Sequence, residues 1–506
     1  MHSSLRSVRS HYATSRQAKA SHFAEIPRRS LIAPLAIEAL EQRRLLSTVT
    51  VLNLADSGPG SLRQAVLDAN ANPGADAIGF ADGLSGSIVL TGGQLSIAGD
   101  LHIDGPGAEL LTVSGNDASR IFRINNGVSV SIEGLTIAHG RGVGQGGGIF
   151  NAGTLTVSNS VLSDNAVVGV AGATLGAVVD AFGGGIFNAG ALAVRSSRFL
   201  DNHSVGADGT AGSIGSSALG GAIMSGGSPI VPATATVIQS TFVGNQAVGG
   251  AAGTGASRAG IGGAIMNATG SFDVSQSLFR DNQAVGGLEN GIPGGFGAGS
   301  GGAIGNVARA GNAVLSVSHC TLTDNRAVGG ATGTGVVAQD GRGGAIASFL
   351  FGGLPQPVTV GATARIDHST LFANQAIGGA GTIGGSGQGG GIANLLGSAV
   401  DVSDSVIFFN RAIGGAGESG DGGSGQGGGI FNGGTSPVGA PSLTLERSLV
   451  AHNSAEGATG SGGDTGIGQG GGLYIAPGGL AATDRWTLIF TNDASTSDAD
   501  VFGIRA

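Results

Sequence analysis

The sequence predicts an all-β fold: a single-stranded, right-handed parallel β-helix, a solenoid of about 12 coils with a short N-terminal capping helix and Gly-rich loops on one side. A Gly-Gly motif, first present at residues 146–151, recurs at intervals of 37 to 46 residues. A short alternating run and an asparagine follow each copy. A fixed motif at a period of roughly 20–50 residues marks a solenoid, a propeller or an array. The nine copies begin at Gly146, Gly183, Gly220, Gly262, Gly301, Gly343, Gly389, Gly427 and Gly470.

Each alternating run predicts a strand with one buried face. In residues 155–160 and 192–197, apolar and polar residues alternate with the period of two that a half-buried strand requires. The glycines and the asparagine are about 20 residues apart, which suits three short strands joined by tight turns. The alternative is a propeller blade of four antiparallel strands. Blades would show hairpin turns and aromatic signatures, whereas only 4% of this chain is aromatic, so the β-helix is favoured.

The asparagine occupies one turn of every predicted coil. Identical turns stack in a solenoid, so each side-chain amide can bond the asparagine above, the asparagine below and the local backbone. We therefore expect a structural ladder at these positions. The column consists of Asn165, Asn202, Asn245, Asn282, Asn325, Asn374, Asn410, Asn453 and Asn492.

Four segments are predicted along the chain. They are a basic targeting or disordered leader at 1–47, an N-terminal cap with a short helix at 48–87, plain coils at 88–145, and the nine-repeat β-helix with Gly-rich insertions at 146–506. The leader holds eight basic and three acidic residues, whereas the remainder holds sixteen basic and thirty acidic residues. An Arg- and Ser-rich leader is typical of a targeting sequence. The alternative is a disordered tail that contains no targeting signal.

One element of the leader, Leu-Glu-Gln-Arg-Arg-Leu-Leu, predicts a targeting motif formed by Leu40, Glu41, Arg43, Leu45 and Leu46. It resembles the Leu-Glu-Pro-Arg-x-Leu-Leu element near the N-termini of many large planctomycete surface and secreted proteins. The resemblance implies that the chain is exported. The element departs from that pattern at residue 42, which is glutamine in place of the usual proline.

Residues 60–70 predict the capping helix. Leu62, Ala65, Val66 and Ala69 have the i, i+3, i+4, i+7 spacing of one apolar stripe, and Ser61 is a suitable N-cap. Such a helix would cover the first coil, whose edge would otherwise invite pairing with another chain. The run Gly-Ser-Leu-Arg-Gln-Ala also resembles the Cys-Ser-Leu-Arg-Glu-Ala segment that opens many bacterial β-helix surface proteins, with glycine in place of the cysteine.

Gly-rich segments lie between each asparagine and the next Gly-Gly motif. One interpretation is that they are loops or short extra strands on one edge of the coils. The other is that they form a row of aligned loops that serves as a binding surface, because insertions in solenoid repeats map to one face. The paired Gly-Gly-x-Ile and Phe-x-x-Asn elements over residues 146–492 resemble the polymorphic outer-membrane protein repeats of chlamydiae. The passenger domains of that family are adhesins, so the resemblance implies adhesion.

The sequence predicts no catalytic residue, no metal site and no cofactor. A glycosidase needs two carboxylates a set distance apart, but Asp164, Asp201, Asp281 and Asp324 share one repeat position and therefore have a structural interpretation. An enzyme should break the repeat with a cluster of acids and arginines. The least regular segment, residues 349–360, contains neither acid nor base, which favours a non-enzyme.

Three isolated histidines and the single cysteine also have structural interpretations. His319, His368 and His452 belong to different predicted coils without metal-ligand spacing, so we expect exposed positions at strand ends. Cys320 takes the place of a serine that recurs in other repeats, so we expect a small, buried side chain that replaces the serine structurally.

The function predicted from the sequence is that of an exported cell-surface or extracellular matrix protein that binds or adheres through its repeated loops without catalysis. A polysaccharide-active lyase or glycoside hydrolase is the first alternative, and a purely structural spacer is the second. Expected partners are polysaccharide or other cell-surface molecules. The net charge of −9 argues against nucleic acid, and no apolar run is long enough to predict a transmembrane helix.

Overall fold

The computed structural model describes residues 47–210, 213–226, 232–253, 258–288, 297–309, 311–332, 337–351, 361–434 and 439–505. In these ranges short strands follow one another, and each pairs in parallel with its equivalent in the neighbouring coil, as Val161–Ser163 pairs with Arg198–Leu200. This arrangement confirms the predicted parallel β-helix. The alternative of antiparallel propeller blades is wrong.

Equivalent strands of successive coils stack into four sheets, numbered in the order in which one coil visits them. Sheet 1 has 24 strands in two columns, which the long strand Ile265–Ser275 joins in one coil. Column 1a, which follows the Gly-Gly motifs, contains Leu95–Ile97, Phe122–Ile124, Ile149–Asn151, Ile186–Asn188, Ile223–Gly226, Ile304–Ala308, Ile346–Leu350, Ile392–Leu395, Ile430–Gly433, Leu473–Ile475 and Val501–Phe502. Column 1b contains Ser47–Val51, Asp76–Phe80, Leu101–Asp104, Ser129–Glu133, Thr154–Ser158, Ala191–Arg195, Ala233–Ile238, Ala313–Ser318, Ala362–Asp367, Ala399–Ser403, Ser442–Glu446 and Leu480–Thr483.

Sheet 2 has twelve strands, one for each coil among the described residues, which matches the predicted number of coils. Its strands are Gly86–Val89, Leu111–Ser114, Thr136–Ala138, Val161–Ser163, Arg198–Leu200, Thr241–Val243, Leu278–Arg280, Thr321–Thr323, Thr370–Phe372, Val406–Phe408, Leu449–Ala451 and Leu488–Phe490.

Sheets 3 and 4 complete the later coils with ten and eight short strands. Sheet 3 contains Arg141–Val143, Ala166–Val168, His203–Val205, Gln246–Val248, Gln283–Val285, Arg326–Val328, Gln375–Ile377, Arg411–Ile413, Ser454–Glu456 and Asp493–Ala494. Sheet 4 contains Ala181–Phe182, Ala218–Leu219, Gly260–Ile261, Gly299–Ser300, Gly341–Arg342, Gly387–Gln388, Gly425–Gln426 and Gly468–Gln469.

The interior of the coils is filled by stacked columns of apolar side chains. Ile149 and Leu162, from sheets 1 and 2 of one coil, are both fully buried. The three coils that follow carry phenylalanine at the Leu162 position, and the rings of Phe199, Phe242 and Phe279 stack with centroids 4.7 Å apart. This distance equals the spacing between neighbouring strands, so ring stacking and backbone pairing agree in register.

The structure places the nine asparagines in one buried column. From Asn165 to Asn492, each Nδ2 donates to the Oδ1 of the next asparagine at 2.8–3.0 Å. Each also reaches the backbone, as when Asn202 Nδ2 donates to Leu162 O at 2.9 Å. The backbone N–H of Asn202 donates to Asn245 Oδ1 at 3.1 Å. Each amide therefore ties one turn to the turns on both sides of it.

A second polar column lies at the end of the column 1a strands. Asn151 Nδ2 donates to Asn188 Oδ1 at 2.8 Å, and Asn188 Nδ2 donates to Ser225 Oγ at 3.0 Å. Asn267 and Asn306 continue the column with a bond of 2.9 Å. This column was not predicted, because serine replaces asparagine in some coils and makes the repeat less visible.

Residues Leu62–Ala71 form the predicted helix. Ser61 Oγ accepts a hydrogen bond from Gln64 N at 3.2 Å, as an N-cap should, and the four residues of the apolar stripe are buried. The helix packs against the first strands of sheet 1. Arg63 fixes it there through an ion pair of 2.7 Å with Asp56. Among the described residues, no helix has the length and apolar character needed to cross a membrane.

Loss of one ladder amide should destabilise the solenoid strongly. Asn282→Ala removes the acceptor of the Asn245 amide and the donor to Asn325 Oδ1 and Phe242 O. Because an unsatisfied buried polar group costs about 1–3 kcal/mol, we expect a loss of about 3 kcal/mol or more in urea unfolding followed by circular dichroism. The matched control is Gln246→Ala, on the outer face of sheet 3, which should change stability by less than about 0.5 kcal/mol. Equal effects of the two substitutions would contradict the ladder's role.

Candidate functional site

The Gly-rich segments join sheet 3 to sheet 4, and their described parts form an ordered layer. In one coil the chain leaves sheet 3 through Gly378 and Gly379 and returns towards sheet 4 through Gly384 and Gly385. Gly385 N donates to Gly379 O at 2.9 Å, and Gly415 N of the next coil donates to Gly385 O at 2.8 Å. A Cβ on Gly415 would overlap the carbonyl oxygen of Gly379. The outgoing and returning segments of each coil, called the arms below, are thus joined by backbone contacts that only glycine allows.

This layer is rich in glycine, and its described part also exposes apolar side chains such as Leu288, Val337 and Ile467. The two-residue strands of sheet 4 border it and are short extra strands of the kind that the sequence allowed as one alternative. Charged and aromatic side chains form clusters on another face, the outer surface of sheets 1 and 2.

Alanine at a packed glycine should be destabilising in proportion to the overlap. We expect Gly415→Ala to lower the free energy of unfolding by about 1–3 kcal/mol, the usual cost of overpacking. Gly79 is the matched control, because a Cβ there meets no atom within 4 Å. Gly79→Ala should stabilise the protein by about 0.4–1 kcal/mol, since alanine restricts the unfolded chain. Urea unfolding of both variants checks the prediction, and the same sign of change in both would contradict it.

Charged side chains gather on the outer face of three consecutive coils. In-register pairing places Arg365 beside Asp401, and it places Ser403 between Asp367 and Glu446. Equivalent positions in other coils are mostly Thr, Ser or Ala. The charged cluster consists of Arg365, Asp367, His368, Asp401, Asp404, Glu446 and Arg447.

Hydrogen bonds and ion pairs organise the charged cluster. Arg447 binds Asp404 through Nε and Nη2 at 2.8 and 2.6 Å, and this guanidinium lowers the pKa of Asp404. Ser403 Oγ donates to Asp367 at 2.7 Å, and His368 Nδ1 lies 2.8 Å from the other carboxylate oxygen. The hydrogen bonds from Ser403 and then His368 lower the pKa of Asp367. Both carboxylates therefore stay ionised below the pH at which an isolated aspartate is protonated.

The same groups are the candidate metal ligands. Ligand atoms of Asp367, His368 and Asp404 all lie within 4.8 Å of one another. A cation would have to displace Arg447 from Asp404, because the guanidinium already occupies both carboxylate oxygens. The arrangement is better described as an ion-pair network than as a metal centre.

A groove of about 300 Å³ runs beside this network. Arg365, Asp401, Ser403, Thr444 and Glu446 line it. The groove therefore contains two carboxylates, one guanidinium and two hydroxyl groups, all of which hydrogen-bond well to a polyhydroxylated ligand.

Aromatic side chains form an exposed group on the same coils. The aromatic cluster consists of Phe372, Phe408, Phe409 and His452. The Phe408 and Phe409 centroids are 4.2 Å apart, the Phe409 and His452 rings stack at 5.3 Å, and Phe372 meets Phe409 edge-on at 5.9 Å. Phe372 and Phe409 are 38% and 47% exposed. A strand of three residues separates this cluster from the turn of the charged cluster, roughly 13 Å along the chain from His368 to Phe372.

Phe409 has an unusual backbone conformation. Its φ of 55° lies in the left-handed region, where a bulky side chain is strained. The position just before the ladder asparagine is left-handed in most coils, and aspartate tolerates that conformation far better. The aspartates at this position are Asp164, Asp201, Asp281 and Asp324, with φ between 49° and 57°.

The other residues singled out from the sequence lie in several places. The targeting motif, Leu40, Glu41, Arg43, Leu45 and Leu46, falls outside the described residues. The His319 and His368 rings stack at 5.0 Å on the outer face. Cys320 is buried in the serine column, where its backbone N–H donates to Ser369 Oγ at 3.1 Å. Burial raises the pKa of the Cys320 thiol to about 11, so this thiol stays protonated at neutral pH.

Sequence reasoning missed the charged and aromatic clusters because it looked for irregularity in chain length. The cluster residues lie in the regular strands and turns, and Arg365, His368 and Phe372 follow the insertion of residues 349–360 within the same coil. Alignment of the coils by their ladder asparagines would have revealed the signal, since Phe408-Phe409 replaces a pattern that ends in Asp elsewhere, as in Arg280-Asp281.

No protein-family model matches this sequence, and no curated protein matches it. Among solved structures, the Dettilon tailspike protein aligns with a TM-score of 0.41 and 10% identity over 90% of this chain and 68% of the tailspike. The catalytic unit of the thermostable GH87 alpha-1,3-glucanase from Streptomyces thermodiastaticus aligns with a TM-score of 0.36 and 12% identity over 90% of this chain and 70% of the glucanase. The A-module of an Azotobacter vinelandii mannuronan C-5 epimerase aligns with a TM-score of 0.20 and 10% identity, over 88% of this chain and 100% of the module. At these values the neighbours give no information about the ligand or chemistry of this chain.

Proposed function

We propose that this chain is an exported, extracellular or cell-surface β-helix protein that binds polysaccharide through the aromatic cluster and the charged cluster. The basic leader and its planctomycete-like element support export. The Gly-rich layer acts as scaffold in this proposal, because backbone hydrogen bonds hold its described arms together within and between coils.

The observation that carries the proposal is the strained, exposed Phe409. Strained backbone persists where it serves a function, and here aspartate, which tolerates this conformation better, occupies the same turn position in four other repeats. A contiguous group of exposed aromatic rings is also uncommon on a soluble surface and marks a binding site. Pyranose rings present flat C–H faces that stack on such rings.

The charged cluster supplies the complementary chemistry. Sugar hydroxyl groups donate to carboxylates and accept from guanidinium groups, and bonds of this kind are stronger than those between neutral partners. Because both clusters lie on the same three coils, one oligosaccharide segment can stack on Phe409 while its neighbours reach Asp401 and Arg365.

Replacing Phe409 should separate binding from folding. We expect Phe409→Asp to weaken retention on the bound polysaccharide about thirtyfold, the loss typical of an aromatic anchor worth about 2 kcal/mol. The thermal midpoint should stay constant or rise, since aspartate fits the left-handed turn. A polysaccharide array probed with the full-length chain measures retention, and circular dichroism measures stability.

Asp164→Asn is the matched control for this substitution, because it changes the same turn position in a coil without the aromatic cluster. It should leave retention unchanged. Equal retention by wild type and Phe409→Asp would refute the proposed site. No retention by the wild type on any polysaccharide would leave a structural spacer as the function.

A polysaccharide hydrolase is the second candidate, and Asp401 and Glu446 favour it. Asp401 pairs in register with Thr444, and Glu446 lies two residues further along the same strand. Their β-carbons are therefore roughly 8 Å apart, from the spacings between and along strands. Inverting glycosidases place two carboxyl groups about 6.5–9.5 Å apart on either side of the scissile bond.

Reducing-end release on the same array decides between the two functions. We expect wild type to retain polysaccharide without releasing reducing ends. Release that is abolished by both Asp401→Asn and Glu446→Gln, with retention preserved in both variants, would replace the binding function by hydrolysis. Release that persists in both variants would point to a contaminating enzyme and leave the binding function in place.

A further inference from the structure

A cavity of about 290 Å³ lies on the other side of the coils, between sheet 4 and the outer face of column 1a. Its wall is mainly apolar and includes Ile261, Phe349, Leu350, Phe351 and Leu396. This volume is about twice that of an apolar cavity able to take up benzene and falls near the lower end of small-molecule pockets.

The cavity exists because a column of large apolar residues stops. In sheet 4 the residues Phe182, Leu219 and Ile261 pair in register, and the next two coils continue with Ser300 and Arg342. Ser300 is buried and lines the cavity, so a small polar residue stands where its neighbours carry bulk. The space therefore opens at the coil where the apolar column of sheet 4 ends.

Arg342 lies in the cavity wall, and one of its hydrogen-bond donors has no acceptor among the described residues. Its Nη2 donates to Asp340 Oδ2 at 2.9 Å. Its Nε is buried and has no hydrogen-bond partner in the described part of the chain. A buried N–H without an acceptor costs free energy, and a ligand oxygen would recover it. Phe351, on another wall, has the guanidinium of Arg309 5.0 Å from its ring centroid, and Asp180 lies 3.8 Å from the same guanidinium.

We propose that this cavity binds a small apolar molecule, of the size of a two-ring aromatic, that carries an sp² oxygen as an acceptor for Arg342 Nε. The apolar body fills the space beside Ile261 and Phe349, and the oxygen lies at Arg342. A carboxylate and a neutral carbonyl share this chemistry, and the carboxylate is favoured because its hydrogen bond with a guanidinium is charge-assisted on both sides.

Three probes test the proposal on the full-length chain by isothermal titration calorimetry: 2-naphthoate, 2-acetylnaphthalene and naphthalene. We expect saturable binding of one 2-naphthoate per chain, weaker binding of the ketone and the weakest binding of naphthalene. Ser300→Leu continues the apolar column and fills the cavity, so it should weaken all three probes about tenfold or more while raising the thermal midpoint. Arg342→Met should weaken 2-naphthoate about tenfold, the loss of one charge-assisted hydrogen bond, and leave naphthalene unchanged.

Gln246→Ala, on the outer face of sheet 3, is the control and should bind all probes like wild type. Absence of saturable 2-naphthoate binding, or equal binding by wild type and Ser300→Leu, would overturn the proposal. Equal affinity for 2-naphthoate and naphthalene would remove the role of Arg342. These outcomes are independent of polysaccharide retention, which is measured separately.

Discussion

The parallel register between coils is the constraint on which the rest of the structure depends. Buried asparagine amides bond from turn to turn, and a one-residue slip in any coil would break two of these bonds and move its apolar side chains to the wrong face. The stacked rings of Phe199, Phe242 and Phe279 obey the same spacing. Because the interior fixes every coil in this way, exposed side chains on the outer faces of the strands can differ from coil to coil.

This difference between a fixed interior and a variable outer surface explains where the candidate sites lie. The charged and aromatic clusters occupy outward positions of sheets 1 and 2 and the turns beside them, where most coils carry small polar residues. The cavity occupies a place where the outer apolar column changes from Ile261 to Ser300. In the two clusters the strands follow the common pattern and the side chains alone differ. The cavity wall also uses Phe349, Leu350 and Phe351, which belong to the least regular segment of the chain.

The sequence was sufficient for the architecture because the repeated features are backbone devices. The glycines, the alternating strands and Ser61 with its apolar stripe predict local structure directly, and stacking follows from their period. The candidate sites were harder to predict from the sequence, since Arg365 and Asp401 are 36 residues apart in the chain and meet only through strand register. The cavity at Ser300 depends on side chains from several coils, and no linear pattern marks it.

The glycine-packed layer also has a consequence for the order of folding. Glycine loses more conformational freedom on folding than any other residue, so the arms around Gly379 and Gly415 are costly to order. Several of their hydrogen bonds, such as the one from Gly415 N to Gly385 O, connect one coil to the next and have no partner until both coils exist. The layer should therefore form after the asparagine column and the apolar interior, and the solenoid would pass through a state with formed sheets and open arms.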